Sequence, residues 1–124
     1  PPSVSVRISR RPLQAGSTSP ESAMTSAINH YWVLDGMDIA GELYSLESGV
    51  GMICRTSLPG LQVYDAFALR DLYAGKHAVC IEPGNFPDAP NHRAFPSSIL
   101  RPGTSHRSFM SFSFSTYALA GKGV

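Results

Sequence analysis

Glu82 closes the apolar run KHAVCIE, Lys76 to Glu82, and Pro83 follows it. A proline pushes the residue before it away from helical geometry, so Glu82 is expected to be extended at a strand end. A carboxylate held there can act as a general base. The other reading is a structural glutamate that receives hydrogen bonds from the loop it begins, and the local sequence leaves both open. The four histidines, His30, His77, His92 and His106, show no spacing that makes any of them a general acid. Cys54 and Cys80 lie in apolar, strand-like runs and read as buried free thiols packed as small hydrophobes. No paired Cys or His lies near them, and no metal or organic cofactor is implied. Arg7, Arg10 and Arg11 form a basic cluster that reads as a solvated patch rather than a phosphate site.

The elements that must carry these residues are short. Ten Pro and eleven Gly punctuate the 124 residues, which strands joined by turns tolerate and helices do not. Alternation predicts strands at 31–35, 39–45, 50–56, 61–67, 76–82 and 107–115, antiparallel, with residues 83–103 as an irregular loop. Residues 46–49 read as a hairpin turn. Leu61, Val63, Asp65 and Phe67 share one face of their strand, and Gln62, Tyr64 and Ala66 share the other. Ser3 to Ile8 alternates as a candidate edge strand, and the Ser/Thr-rich residues 14–26 read as a loop. Residues 66–74 have room for a turn or two of helix at most. The chain is expected to be an all-β, antiparallel sandwich.

Composition narrows the class. Hydrophobic residues make up 43% and charged residues 15%, too apolar for a disordered chain. A net charge of +1 argues against a nucleic-acid partner, which calls for a clustered basic face. No apolar run approaches the ~18 residues of a membrane span. The start, Pro1-Pro2-Ser3, shows no basic-then-apolar signal pattern and no cleavage-site pattern, and the two thiols suggest a reducing, cytoplasmic compartment. The absent initiator Met suggests a processed chain or a fragment.

The densest motif is residues 79–103, VCIEPGNFPDAPNHRAFPSSILRPG. Ile81, Glu82, Pro83, Phe86, Pro87, Asp88, Asn91, Phe95, Pro96, Ser97, Leu100, Arg101, Pro102 and Gly103 match, without a gap, the C-terminal signature of aldose 1-epimerases, the galactose mutarotases. Gly84 stands where that family usually has Gln, and Thr104 where it often has Glu. Upstream, residues 58–64 (LPGLQVY) resemble the family's "Pro-x-Leu-Gln-aromatic/Val-Tyr" strand, and 44–49 (YSLESG) its hairpin turn. Residues 29–34 (NHYWVL) resemble "Asp-His-x-aromatic-x-Leu", with Asn29 in place of the family's sugar-binding Asp. Residues 28–124 thus resemble the C-terminal part of such a domain, and residues 1–27 are a polar segment that matches weakly.

The resemblance implies a portion of a large antiparallel β-supersandwich that interconverts the α and β anomers of a galactose- or glucose-type hexose. It implies Glu82 as the base that removes the anomeric proton, and Gln62 and Asn29 as sugar ligands. A neutral Asn29 should weaken sugar binding by about 1 kcal/mol. His30 matches a position beside the sugar-binding residue, not the general acid, and reads as structural. Trp32, Tyr64 and Phe86 could stack on a pyranose or fill the core. The family's general-acid His belongs to an N-terminal half with no counterpart here. A truncated epimerase without its acid is therefore expected, and the alternative is a non-catalytic carbohydrate-binding or vestigial sandwich. A missing half would also leave a sheet face uncovered and open to association.

Overall fold

The computed structural model describes residues 4–8, 21–23, 28–35, 39–66, 68 and 78–116. Eight strands are described: β1 Val4–Ile8, β2 Glu21–Ala23, β3 Asn29–Val33, β4 Gly41–Ser45, β5 Val50–Thr56, β6 Gly60–Tyr64, β7 Cys80–Gly84 and β8 Met110–Thr116. They form two antiparallel sheets, β2-β1-β4-β5-β8 and β3-β6-β7. Among the described residues the helical content is one 3-10 turn, Ala89–Asn91. The architecture is the all-β sandwich expected from the alternation.

The sheets close on side chains of one parity. In β6, Leu61 and Val63 are fully buried, whereas Gln62 and Tyr64 on the other face are half-buried. Trp32 and Ile28 join them from the β3 side, with Ile81 of β7 packed alongside. Cys54 and Ala40, with Leu43 packed against them, come from the opposing sheet. Burying a side chain such as Leu61 or Val63 contributes about 1.5–3 kcal/mol, so this short inner row holds the two layers together. Trp32 is buried in this core and does not offer its ring as a sugar-stacking face. The β4–β5 hairpin turns through residues 46–49. Gly49 adopts the left-handed conformation (φ 68) that a side chain would strain, and its N–H donates to the Ser45 carbonyl at 2.9 Å.

The structure departs from the alternation in several places. β1 is an inner strand, paired to β2 on one side and β4 on the other, so Ser3 to Ile8 is not an edge. β2 falls inside the segment read as a loop. Its three residues have no apolar alternation, and their pairing with Ser5, Val6 and Arg7 comes from the neighbouring backbone. β7 starts at Cys80 and runs through Pro83 to Gly84, so Glu82 is not its last residue. Proline is tolerated there because β7 is the outer strand of its sheet. The rest of the 83–103 segment carries no strand. Phe67, His77 and most of residues 66–74 lie outside the described residues, as do Arg10 and Arg11 and the side chain of Arg7.

β8 is tied to the end of β5. The Thr56 hydroxyl donates to the Phe109 carbonyl at 2.8 Å, and Ser57 N–H donates to the same oxygen at 3.2 Å. Phe112 lies opposite the buried Cys54, so Met110, Phe112 and Phe114 share the core-side face of the sheet. Every residue of β8 is nevertheless exposed.

Candidate functional site

The three-stranded sheet turns one face to the core and the other to a loop-framed surface. In register, Tyr31 of β3 lies opposite Gln62 of β6, and Gln62 lies opposite Glu82 of β7. Residues directly opposite share a face with Cβ atoms about 4.5–5.5 Å apart, so these three form one row. Leu61 and Val63 fill the core side, so the row points outward. Asn29, Tyr64 and Cys80 make the adjacent row on one side, and Val33, Gly60 and Gly84 the adjacent row on the other. Asn29 sits diagonally from Gln62, and the Gln62 Nε2 donates to the Asn29 Oδ1 at 2.6 Å. Glu82 and Asn29 are exposed, and Gln62 is half-buried. The three residues singled out in the sequence therefore stand on one face of three adjacent strands.

Tyr31 holds this surface together. Its hydroxyl donates to the Gly84 carbonyl at 2.9 Å, two residues past Glu82. To get there the ring crosses Gly60, where a methyl group would overlap it, so the crossing requires glycine. Burial disfavours the phenolate and pushes the Tyr31 hydroxyl up to about 12. The Tyr31 ring meets the edge of Phe86 at 5.5 Å, and Phe86 meets Phe95 at 5.0 Å. His92 lies against Phe95 at 4.8 Å and pairs with Asp88 at 3.2 Å. Asp88 takes a left-handed conformation (φ 57) and opens the 3-10 turn. This aromatic chain frames the loop that leaves β7 after Gly84.

The remaining candidates separate by face. His30 lies opposite Val63, on the side away from Glu82. His92 and His106 are exposed, and His77 lies outside the described residues. Tyr64 shares the outward face, and its hydroxyl accepts from the Ala68 N–H at 3.0 Å. Cys54 is buried as expected, and both thiols are free, but Cys80 is only half-buried because it belongs to the outward row. Sequence reading missed Tyr31, although its parity with Asn29 in the pattern NHYWV was the available signal.

A family model described as Aldose 1-epimerase matches residues 4–113. No curated protein matches the chain. The matched span takes in β1 through most of β8, and so all three strands that carry the row.

Proposed function

Because the chain belongs to the aldose 1-epimerase family, we propose that it takes part in interconverting the anomers of a galactose- or glucose-type hexose, with Glu82 as general base and Gln62 and Asn29 as sugar ligands. One observation carries this reading: Gln62 stands opposite Glu82 on an outward face while its amide is bonded to Asn29. The Glu82 carboxylate takes the proton of the anomeric hydroxyl. A general acid protonates the ring oxygen as the bond from C1 to that oxygen breaks. Rotation about C1–C2 and closure then return the proton and give the other anomer. Gln62 and Asn29 hold ring hydroxyls so that the anomeric oxygen meets Glu82, which is an orientational gain. We place the reaction in a reducing, cytoplasmic compartment, a reading supported by the two free thiols.

Of the described histidines, His30 faces away from Glu82 and His92 is paired with Asp88, and neither spacing nor the resemblance marks His106 as the acid. This favours a chain that lacks its acid, either a truncated epimerase or, as the second reading, a carbohydrate-binding module. Polarimetry on freshly dissolved α-anomer separates the two. The chain alone should equilibrate anomers little faster than buffer. Adding an N-terminal half of the family type should accelerate the reaction by about 10²–10⁴, the range of a positioned acid or base. Glu82→Gln should remove that gain. If Glu82→Gln keeps the rescued rate, Glu82 is not the base. Sugar binding without any rescue would leave the binding-module reading standing.

A further inference from the structure

The two ends of β6 fix which way its peptide groups turn. The Leu34 N–H donates to the Pro59 carbonyl at 2.9 Å, and the Asp65 N–H donates to the Ile28 carbonyl at 3.0 Å. Both bonds run to the β3 side, so Leu61 and Val63 also turn their peptide groups to β3. By the antiparallel alternation, Gly60, Gln62 and Tyr64 turn theirs to β7. Gln62–Glu82 and Gly60–Gly84 are therefore hydrogen-bonded pairs. Pro83 points its missing donor away from β6, where an outer strand tolerates it. Past Glu82 the ladder thus ends on two facing glycines, which have no side chains to hold the strands together.

We propose that Tyr31 is a positioning residue for this row, one that fixes both where the Gln62 amide points and where the strand end bearing Glu82 sits. The proposal rests on the epimerase reading of Glu82 and Gln62. Tyr31 and Gln62 form a non-hydrogen-bonded pair, the closer kind, with Cα atoms about 4.5 Å apart. Their side chains lean in opposite directions. The tyrosine crosses Gly60 towards Gly84, and the Gln62 amide turns towards Asn29. The ring fills the space over Gly60, which leaves the Asn29 side to the amide. The Tyr31 hydroxyl meanwhile spans the sheet from β3 to β7. It adds a bond at the Gly84 carbonyl, where the ladder itself has only glycines. The edge contact with Phe86 holds the ring from the loop side. Tyr31 therefore acts through its neighbours: its ring sets the sugar ligand, and its hydroxyl sets the base.

Tyr31→Phe keeps the ring and removes the bond to Gly84, whereas Tyr31→Ala removes both. NMR of the full chain should show the Gln62 side-chain amide protons at a bonded position in the wild type and in Tyr31→Phe. In Tyr31→Ala they should move to the averaged position of a free amide. Gly60→Ala drives the ring off its crossing with the tyrosine intact, so it should move the same signals, and it carries this readout if Tyr31→Ala does not fold. With the N-terminal half added, Tyr31→Phe should lower kcat about tenfold or more at unchanged KM, the effect of a base held out of line. Tyr31→Ala should raise KM as well. Circular dichroism establishes that each variant is folded in the assay, and a tyrosine that only stabilised the fold would leave both readouts unmoved. Gln62 signals indifferent to Tyr31→Ala and Gly60→Ala overturn the proposal. So does a Tyr31→Phe kcat within about twofold of wild type while Glu82→Gln is inactive. If Glu82→Gln keeps the rate, or no activity is restored, the epimerase reading falls separately, and the Gln62 signals alone decide the place of Tyr31.

Discussion

The crossing of Tyr31 over Gly60 can be tested by adding a single carbon. In Gly60→Ala the new methyl would overlap the Tyr31 ring and hydroxyl, so the ring must leave. It then loses the hydrogen bond to the Gly84 carbonyl, net about 0.5–1.5 kcal/mol. It also loses the edge contact with Phe86, a further ~0.5–1.5 kcal/mol. Against this, replacing glycine inside a strand stabilises by about 0.5–1 kcal/mol. Gly60→Ala should therefore destabilise the chain by about 1 kcal/mol. In a Tyr31→Ala background the overlap is gone and only the strand preference remains, so the same change should stabilise by a few tenths or more. The cycle predicts a coupling of about 1–3 kcal/mol between the two positions. Urea midpoints at unchanged m-value measure it. An equal cost for Gly60→Ala in both backgrounds would refute the crossing.

Other outcomes follow from the same surface and core. Tyr31 has its pKa raised to about 12 by burial, above the ordinary 10.0 of the unfolded chain. The unfolded state therefore ionises first: this contribution to stability is fully present below pH 10 and is lost as pH rises towards 12. Tyr31→Phe should flatten the decline in that window, and denaturation midpoints against pH for the two proteins provide the check. Cys54 is fully buried, and burial pushes its thiol pKa up, whereas Cys80 is half-buried on the outward row. A thiol reagent on the folded chain should therefore modify Cys80 well before Cys54, and equal rates would contradict the burial.

Alternation in the sequence was enough to place the inner row, because Leu61 and Val63 can satisfy a core only from one face of a strand. It also put Gln62 on the opposite face, where the structure has it. The row across three strands was not legible, because register between distant segments is set by pairing and not by local pattern. Glu82 meets Gln62, and Gln62 meets Tyr31, only once β6 lies between β3 and β7. Tyr31 in particular looked like one more aromatic in a strand; its function in the fold depends on the absence of a side chain at Gly60, 29 positions along the chain. β2 was missed for a related reason. Glu21, Ser22 and Ala23 contain no strand signal of their own and are recruited by the backbone of β1. Proline misled at the end of β7, where an outer strand accommodates Pro83.

The order of the strands along the chain constrains how the larger sheet is assembled. β4 and β5 meet across a four-residue turn, so their hairpin can close as soon as both leave the ribosome. The strand that completes β5 on its other side arrives much later, since Thr56 and Phe109 are 53 residues apart. Until then the whole outer edge of β5 is open, with Cys54 in its middle. Closing so long a loop is slow compared with forming the hairpin. The β4–β5 hairpin can therefore be completed from neighbouring residues, whereas the outer side of β5 can be sealed only after the serine- and phenylalanine-rich residues 110–116 have been made.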